Sequence, residues 1–222
     1  MLAHSKSEYG FTLVEILVAL VLNVIVMGAL IAIFSNNVKY FRLSLDQARL
    51  DQGMQMAMDI MSDEIKRAGY YANASNDIGT GVNNNPFVAS GTDISVNSTN
   101  DCILFSYDKD NNGILPAISS SYDDERYGFR LSGQVLQTRP SGALFSCAAS
   151  SSSWEDMTDS NIIQITALTF TLNSKSVTTG PGAKGIIFRS VDVTMSGQLT
   201  SDSTVTKTLT EHIKIRNDKY IP

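Results

Sequence analysis

At 222 residues, with a formal net charge of -5 and a pI near 5.0, the chain has room for one compact domain plus an extension. The acidic balance and the lack of any basic stripe give no footprint for a nucleic-acid partner. Hydrophobic residues make up 43%, enough for a globular core, but they are spread unevenly along the chain.

Residues 1–10, MLAHSKSEYG, read as a short polar leader. From Ile16 to Phe34 runs ILVALVLNVIVMGALIAIF, an uncharged stretch broken only by Asn23 and Gly28. As a helix it spans roughly 28 Å, close to the hydrocarbon thickness of a bilayer. It exceeds the usual apolar core of a cleaved secretory signal, and no A-x-A site follows it. Residues 11–34 are therefore expected to form a transmembrane half-helix, against the alternative of a buried core helix. Flanking charge does not orient it. Lys6 and the α-amino group face Glu8 on one side, and Lys39 and Arg42 lie on the other.

Residues 35–69 stay helical in pattern but become amphipathic. Val38, Phe41, Leu45 and Ala48 recur at three- and four-residue steps, as do Met54, Met58, Met61, Ile65 and Ala68. No proline interrupts Phe11–Tyr71, and Gly69 reads as a helix stop. One helix from Phe11 to Ala68 would be roughly 85–90 Å long. The methionine stripe fits a core face under a sheet better than a flexible binding groove.

Residues 73–100 are rich in Asn, Ser, Thr and Gly and read as a long connection. Six β-like runs follow: Cys102–Tyr107, Tyr127–Leu131, Val135–Thr138, Ile162–Leu172, Gly185–Met195 and Val205–Ile215. In the last, Val205, Leu209, Ile213 and Ile215 fall on one side. Leu131–Gln134 reads as a hairpin turn, and the serine run at Ser150–Ser153 as loop. A long helix followed by strands predicts an α+β globular domain over residues 70–222, with an antiparallel sheet.

Cys102 and Cys147 both follow the apolar segment. They fit a disulfide in an oxidising compartment, against two buried free thiols. If the bridge forms, the Cys-containing part lies outside the cytoplasm.

The head of the apolar run is chemically odd. In Gly10-Phe11-Thr12-Leu13-Val14-Glu15 a carboxylate sits where a helix should enter the bilayer, and an unpaired charge there costs at least about 2.5 kcal/mol. Cleavage before Phe11 would create an α-amine one turn from Glu15. GFTLVEILVAL resembles the N-terminal signature of the type IV prepilin family. The resemblance implies a pilin-like fold: a long N-terminal helix, transmembrane then amphipathic, packed on an antiparallel sheet. It implies cleavage between Gly10 and Phe11 by a prepilin peptidase, N-methylation of Phe11, and docking of Glu15 against a neighbour's N-terminus.

A second likeness narrows the group. Met58–Tyr70, ending Arg67-Ala68-Gly69-Tyr70, is similar to the helix end of PilW-type minor pilins, as are Cys102–Asp108 and Ile213–Asp218. The loops 73–100 and 148–160 resemble nothing known. This likeness implies a subunit of a priming complex, made of sibling minor pilins, that starts a type IV pilus and remains at its tip. The functions implied are twitching motility, adhesion and DNA uptake. The partners implied are other minor pilins, the major pilin, the prepilin peptidase and a tip adhesin of the PilY family. The location implied is the inner membrane, single-pass, with the C-terminal domain periplasmic, and later the fibre. The alternative is a J-type minor pseudopilin of type II secretion; a membrane-anchored periplasmic enzyme or binding protein is a third reading.

Asp108-Lys109-Asp110-Asn111-Asn112-Gly113 has the D-x-D-x-N-G spacing of a calcium loop, with Asp108, Asp110 and Asn112 as candidate ligands. The bidentate Glu expected later is Ser119. Asp123, Asp124 or Glu125 substitutes only if the chain folds back; otherwise the loop is a polar turn and these acids a solvated one. No other cofactor is expected. His4 and His212 accompany no nucleophile, and neither cysteine lies in a C-x-x-C arrangement, so no catalytic constellation is read. Trp154 fits either an exposed contact or a plug at the core's edge.

Overall fold

The computed structural model describes residues 10–77, 83–118, 124–150, 153–178 and 184–221. His4, Lys6, Glu8, Ser119 and Asp123 lie outside the described residues. The chain divides into two units, one ending at Gln47 and the other running from Ala48.

Helix α1 spans Leu13–Ile65, 53 residues, or roughly 80 Å. In the first unit the apolar stretch has no buried face: its most apolar window has a mean hydropathy of 3.0 and is 0% buried. A helix apolar all round with nothing covering it suits lipid or other helices rather than water. Of the apolar positions that mark the amphipathic pattern, Phe41, Leu45 and Ala48 are exposed and Val38 is half-buried.

In the second unit the tail of α1 does pack. Met54, Met58, Met61 and Ile65 are almost fully buried, as is Ala68 just beyond the helix. Each buried Met or Ile side chain contributes about 1.5–3 kcal/mol of transfer free energy. After Ile65 the turn tightens, with the amides of Arg67 and Ala68 bonding back three residues to Glu64 and Ile65. Gly69 ends it at φ +74°, a conformation a side chain resists. Two short 3₁₀ turns, Ala72–Asp77 and Pro86–Val88, follow.

The strands form two antiparallel sheets rather than the single one expected. The first is a five-stranded meander: β1 (Ser95–Val96), β2 (Cys102–Ser106), β3 (Arg126–Ser132), β4 (Val135–Thr138) and β5 (Glu155–Asp156). The second has β7 (Gly185–Leu199) at its centre, paired with β6 (Ile163–Thr178) on one side and with β8 (Thr206–Lys214) and β9 (Lys219–Ile221) on the other. The β3–β4 hairpin turns on Gly133 and Gln134, both at positive φ (56° and 69°), as a two-residue turn matched to strand twist requires.

One core joins the methionine stripe to both sheets, through Ile103, Phe105 and Phe129 of the first and Val191, Val193 and Met195 of the second. Strand β7 alternates inward and outward over most of its length. Gly197 lies on its inward face, where an added Cβ would sit 2.9 Å from Met54 Sδ. The helix and sheet approach closely because that position has no side chain.

Asp124 and Glu125 are buried, not part of a solvated turn. Asp124 is held between Arg126 (3.1 Å) and Arg139 (2.6 Å), with further bonds from backbone amides, so its charge is compensated. Trp154 is a plug. Only 5% exposed, it packs with Cys102 and Leu104, and the Arg130 guanidinium lies 4.5 Å from its ring centre. His212 is the surface strand residue expected, its Nδ1 next to an oxygen of Asp192.

Candidate functional site

The first site is the head of α1. Gly10 and Phe11 precede the helix, and Phe11 is 84% exposed. Thr12 and Glu15 cap each other reciprocally. The Thr12 amide and hydroxyl donate to Glu15 Oε2 at 2.8 and 2.9 Å, and the Glu15 amide donates to Thr12 Oγ1 at 3.3 Å. This is a T-x-x-E capping box, which satisfies amides that the first helical turn leaves without partners. Within the chain, then, the carboxylate of Glu15 serves its own helix end.

The disulfide Cys102–Cys147 is formed, with Cα atoms 6.0 Å apart. It ties the start of β2 to the irregular segment after β4. Arg130 reinforces the tie: Nη1 donates to the carbonyls of Cys147 (3.1 Å) and Ala149 (2.8 Å), and Nε to Gln137 Oε1 (2.9 Å).

The Arg67–Tyr70 segment is a seam between helix and sheet. Gly69 donates its amide to the Ser106 carbonyl at 2.8 Å, and the Tyr70 carbonyl accepts from the Asp108 amide at 3.0 Å. Arg67 pairs with Glu64 at 3.5 Å and lies 5.8 Å over the ring of Tyr107. Tyr107 donates to Glu64 Oε2 at 2.7 Å and stacks on Tyr127 at 4.3 Å.

That seam leads into the acidic loop. Asp108 Oδ2 accepts from the amides of Ala72 (2.9 Å) and Gly113 (3.1 Å). Glu125 Oε1 accepts from the amides of Lys109 and Asp110. Asp108, Asp110 and Glu125 each place a carboxylate oxygen within 4.8 Å of the others. Asn112 is the next residue of the turn. Its Oδ1 accepts from the Ile114 amide and its Nδ2 donates to Asp110, so the side chain closes the turn. Burial pushes the carboxyl of Glu125 above its usual range and the charges of Asp110 and Asp108 add to this, while the amides of Lys109 and Asp110 pull it down; the net shift is upward. In the sequence Glu125 is legible only as one of three acids that a fold-back might deliver.

Comparison with known families agrees with the head and with the body of the chain separately. Residues 5–31 match the prokaryotic N-terminal methylation motif. Residues 43–215 match the model described as prepilin peptidase-dependent protein B. No curated protein and no solved structure matches the chain. With the second match covering most of its length, the chain belongs to the prepilin peptidase-dependent protein B family and is a pilin-like protein carrying an N-terminal methylation motif.

Proposed function

We propose that this protein is a minor pilin of the PilW type that helps to start a type IV pilus, with a structural rather than a catalytic role. The observation that carries the reading is the head Gly10–Glu15 opening a helix whose first stretch is apolar and exposed all round. A peptidase cut after Gly10 removes the polar leader, and methylation then falls on Phe11. The remaining helix anchors the subunit in the inner membrane, with the disulfide-bonded domain on the periplasmic side. The uncovered faces of α1 fit lateral packing against sibling minor pilins and the major pilin, and a PilY-family adhesin is the expected partner at the tip.

Glu15 links the two stages. The hydrogen bonds from Thr12 satisfy the carboxylate but leave its charge without a counter-charge. In the bilayer an uncompensated charge is costly, so the carboxylate should exchange its cap for the cationic N-terminus of a neighbour once processing has produced one. A subunit with this acid therefore sits beneath another subunit. Glu15→Ala should be processed normally but lose co-purification with its sibling minor pilins and lower piliation; unchanged partner binding and piliation would sink the assignment of Glu15. Deleting the gene should abolish twitching and DNA uptake. Loss of protein secretion with intact pili would instead identify a type II pseudopilin.

A further inference from the structure

We propose that Asp108, Asp110 and Glu125 form a calcium site, independent of the pilin reading, that clasps the segment following α1 to the end of the first sheet where β2 stops and β3 starts. Two of the three acids are deeply buried: Asp108 is 1% exposed and Glu125 3%. Each uses one carboxylate oxygen on backbone amides and keeps the other, Asp108 Oδ1 and Glu125 Oε2, buried without a partner. An unpartnered buried carboxylate oxygen is costly, and two beside a third carboxylate are more so. Among the described residues no lysine or arginine pairs with any of the three. A cation supplies what the protein does not.

The donor set chooses the cation. All ligands are hard oxygens, which suit Ca²⁺ or Mg²⁺ and not a metal that prefers nitrogen or sulfur. Oxygens on opposite sides of an ion are separated by twice the metal–oxygen distance, about 4.6–5.2 Å for Ca²⁺ and about 4.0–4.2 Å for Mg²⁺. The three carboxylate oxygens lie within 4.8 Å of one another, close enough for one ion, and Ca²⁺ is favoured because Mg²⁺ demands near-ideal octahedral geometry and gives up its waters reluctantly. Asp108 and Asp110 hold the first and third positions of the D-x-D-x-N-G turn, with Gly113 at φ +75°. The distant acid is Glu125, brought in by strand pairing rather than by the loop's own later residue.

The site has mechanical consequences. Asp108 bonds to the backbone of both Tyr70 and Ala72, so it is already fixed to the chain leaving the helix. Glu125 lies one residue before β3. An ion between them cross-links the helix exit to the sheet, and the clasp closes where calcium is millimolar, outside the cytoplasm.

The test uses the full chain purified in detergent and stripped with EDTA. Calorimetric titration with CaCl₂ should show one ion per chain with half-saturation between about 0.1 and 1 mM, the range of extracellular calcium modules. About 5 mM CaCl₂ should raise Tm by about 3–7 °C, and MgCl₂ should give a much smaller shift. Glu125→Gln keeps an acceptor oxygen for the two amides, so it should fold without calcium at least as stably as the parent while binding the ion at least tenfold more weakly. Asp110→Asn, at an exposed position, should weaken binding similarly and carries the test if Glu125→Gln fails to fold. Asp218→Asn is the control and should bind as the parent does. The proposal is overturned by the absence of saturable heat in the parent chain, by equal affinity for Mg²⁺, or by Asp110→Asn binding within twofold of the parent.

Discussion

Reducing the Cys102–Cys147 bridge should lower the stability of the β-rich domain by about 4 kcal/mol. The magnitude follows from the loop it closes, 45 residues along the chain, whose closure entropy is restored to the unfolded state on reduction. The native state offers little relief to offset this. Arg130 still holds the carbonyls of Cys147 and Ala149, and Cys147 still packs beside Trp154, so the reduced thiols have nowhere better to go. For a chain of this size the loss corresponds to a fall in Tm of about 8–16 °C. Trp154 is the only tryptophan and lies on the bridge, so its fluorescence during thermal unfolding, with and without reductant, reports the effect directly. A fall of less than about 2 °C would refute the reasoning, since the bridge would then constrain no more of the unfolded chain than the surrounding contacts already do.

Two further predictions concern the same domain. Met61→Ala removes a fully buried side chain from the interface between α1 and the sheets and should cost about 2–5 kcal/mol, measured as a shift in unfolding midpoint. Asp101 is pushed up by burial, but hydrogen bonds from Asn97 and Thr99 more than offset this and hold its carboxyl below the usual range. A depressed carboxyl lends stability above its unfolded value, near pH 3.9, and loses it as pH falls through the folded value. The stability gap between the parent and Asp101→Asn should therefore be open at pH 7 and close on acidification below about pH 4.

Chemistry carried by neighbours was legible in the sequence. The head Gly10–Glu15, the methionine stripe from Met54 to Ala68, the Gly69 stop and the Gly133-Gln134 turn each need only residues within a few positions. The Thr12–Glu15 capping box is equally local, yet it escapes a reading that takes Glu15 only as a charge awaiting a partner. Contacts between distant positions, the Cys102–Cys147 bridge apart, were not legible. Asp124 meets Arg139 only because β3 and β4 fold back on each other, and Glu125 reaches Asp108 only because β2 pairs with β3. Strands β1, β5 and β9 are two or three residues long, too short for any periodicity, and exist because a neighbouring strand offers an edge. Phe41, Leu45 and Ala48 have a helical period yet are exposed, since a pattern shows which face is apolar and not what covers it.

The central claim is that proteolysis exposes Phe11 and so licenses assembly. Mass spectrometry of the N-terminal peptide from the protein isolated from bacterial membranes tests it most directly. The account predicts a chain beginning at N-methylated Phe11, with Met1–Gly10 gone; a membrane-resident chain retaining Met1 and an unmodified Phe11 would contradict it.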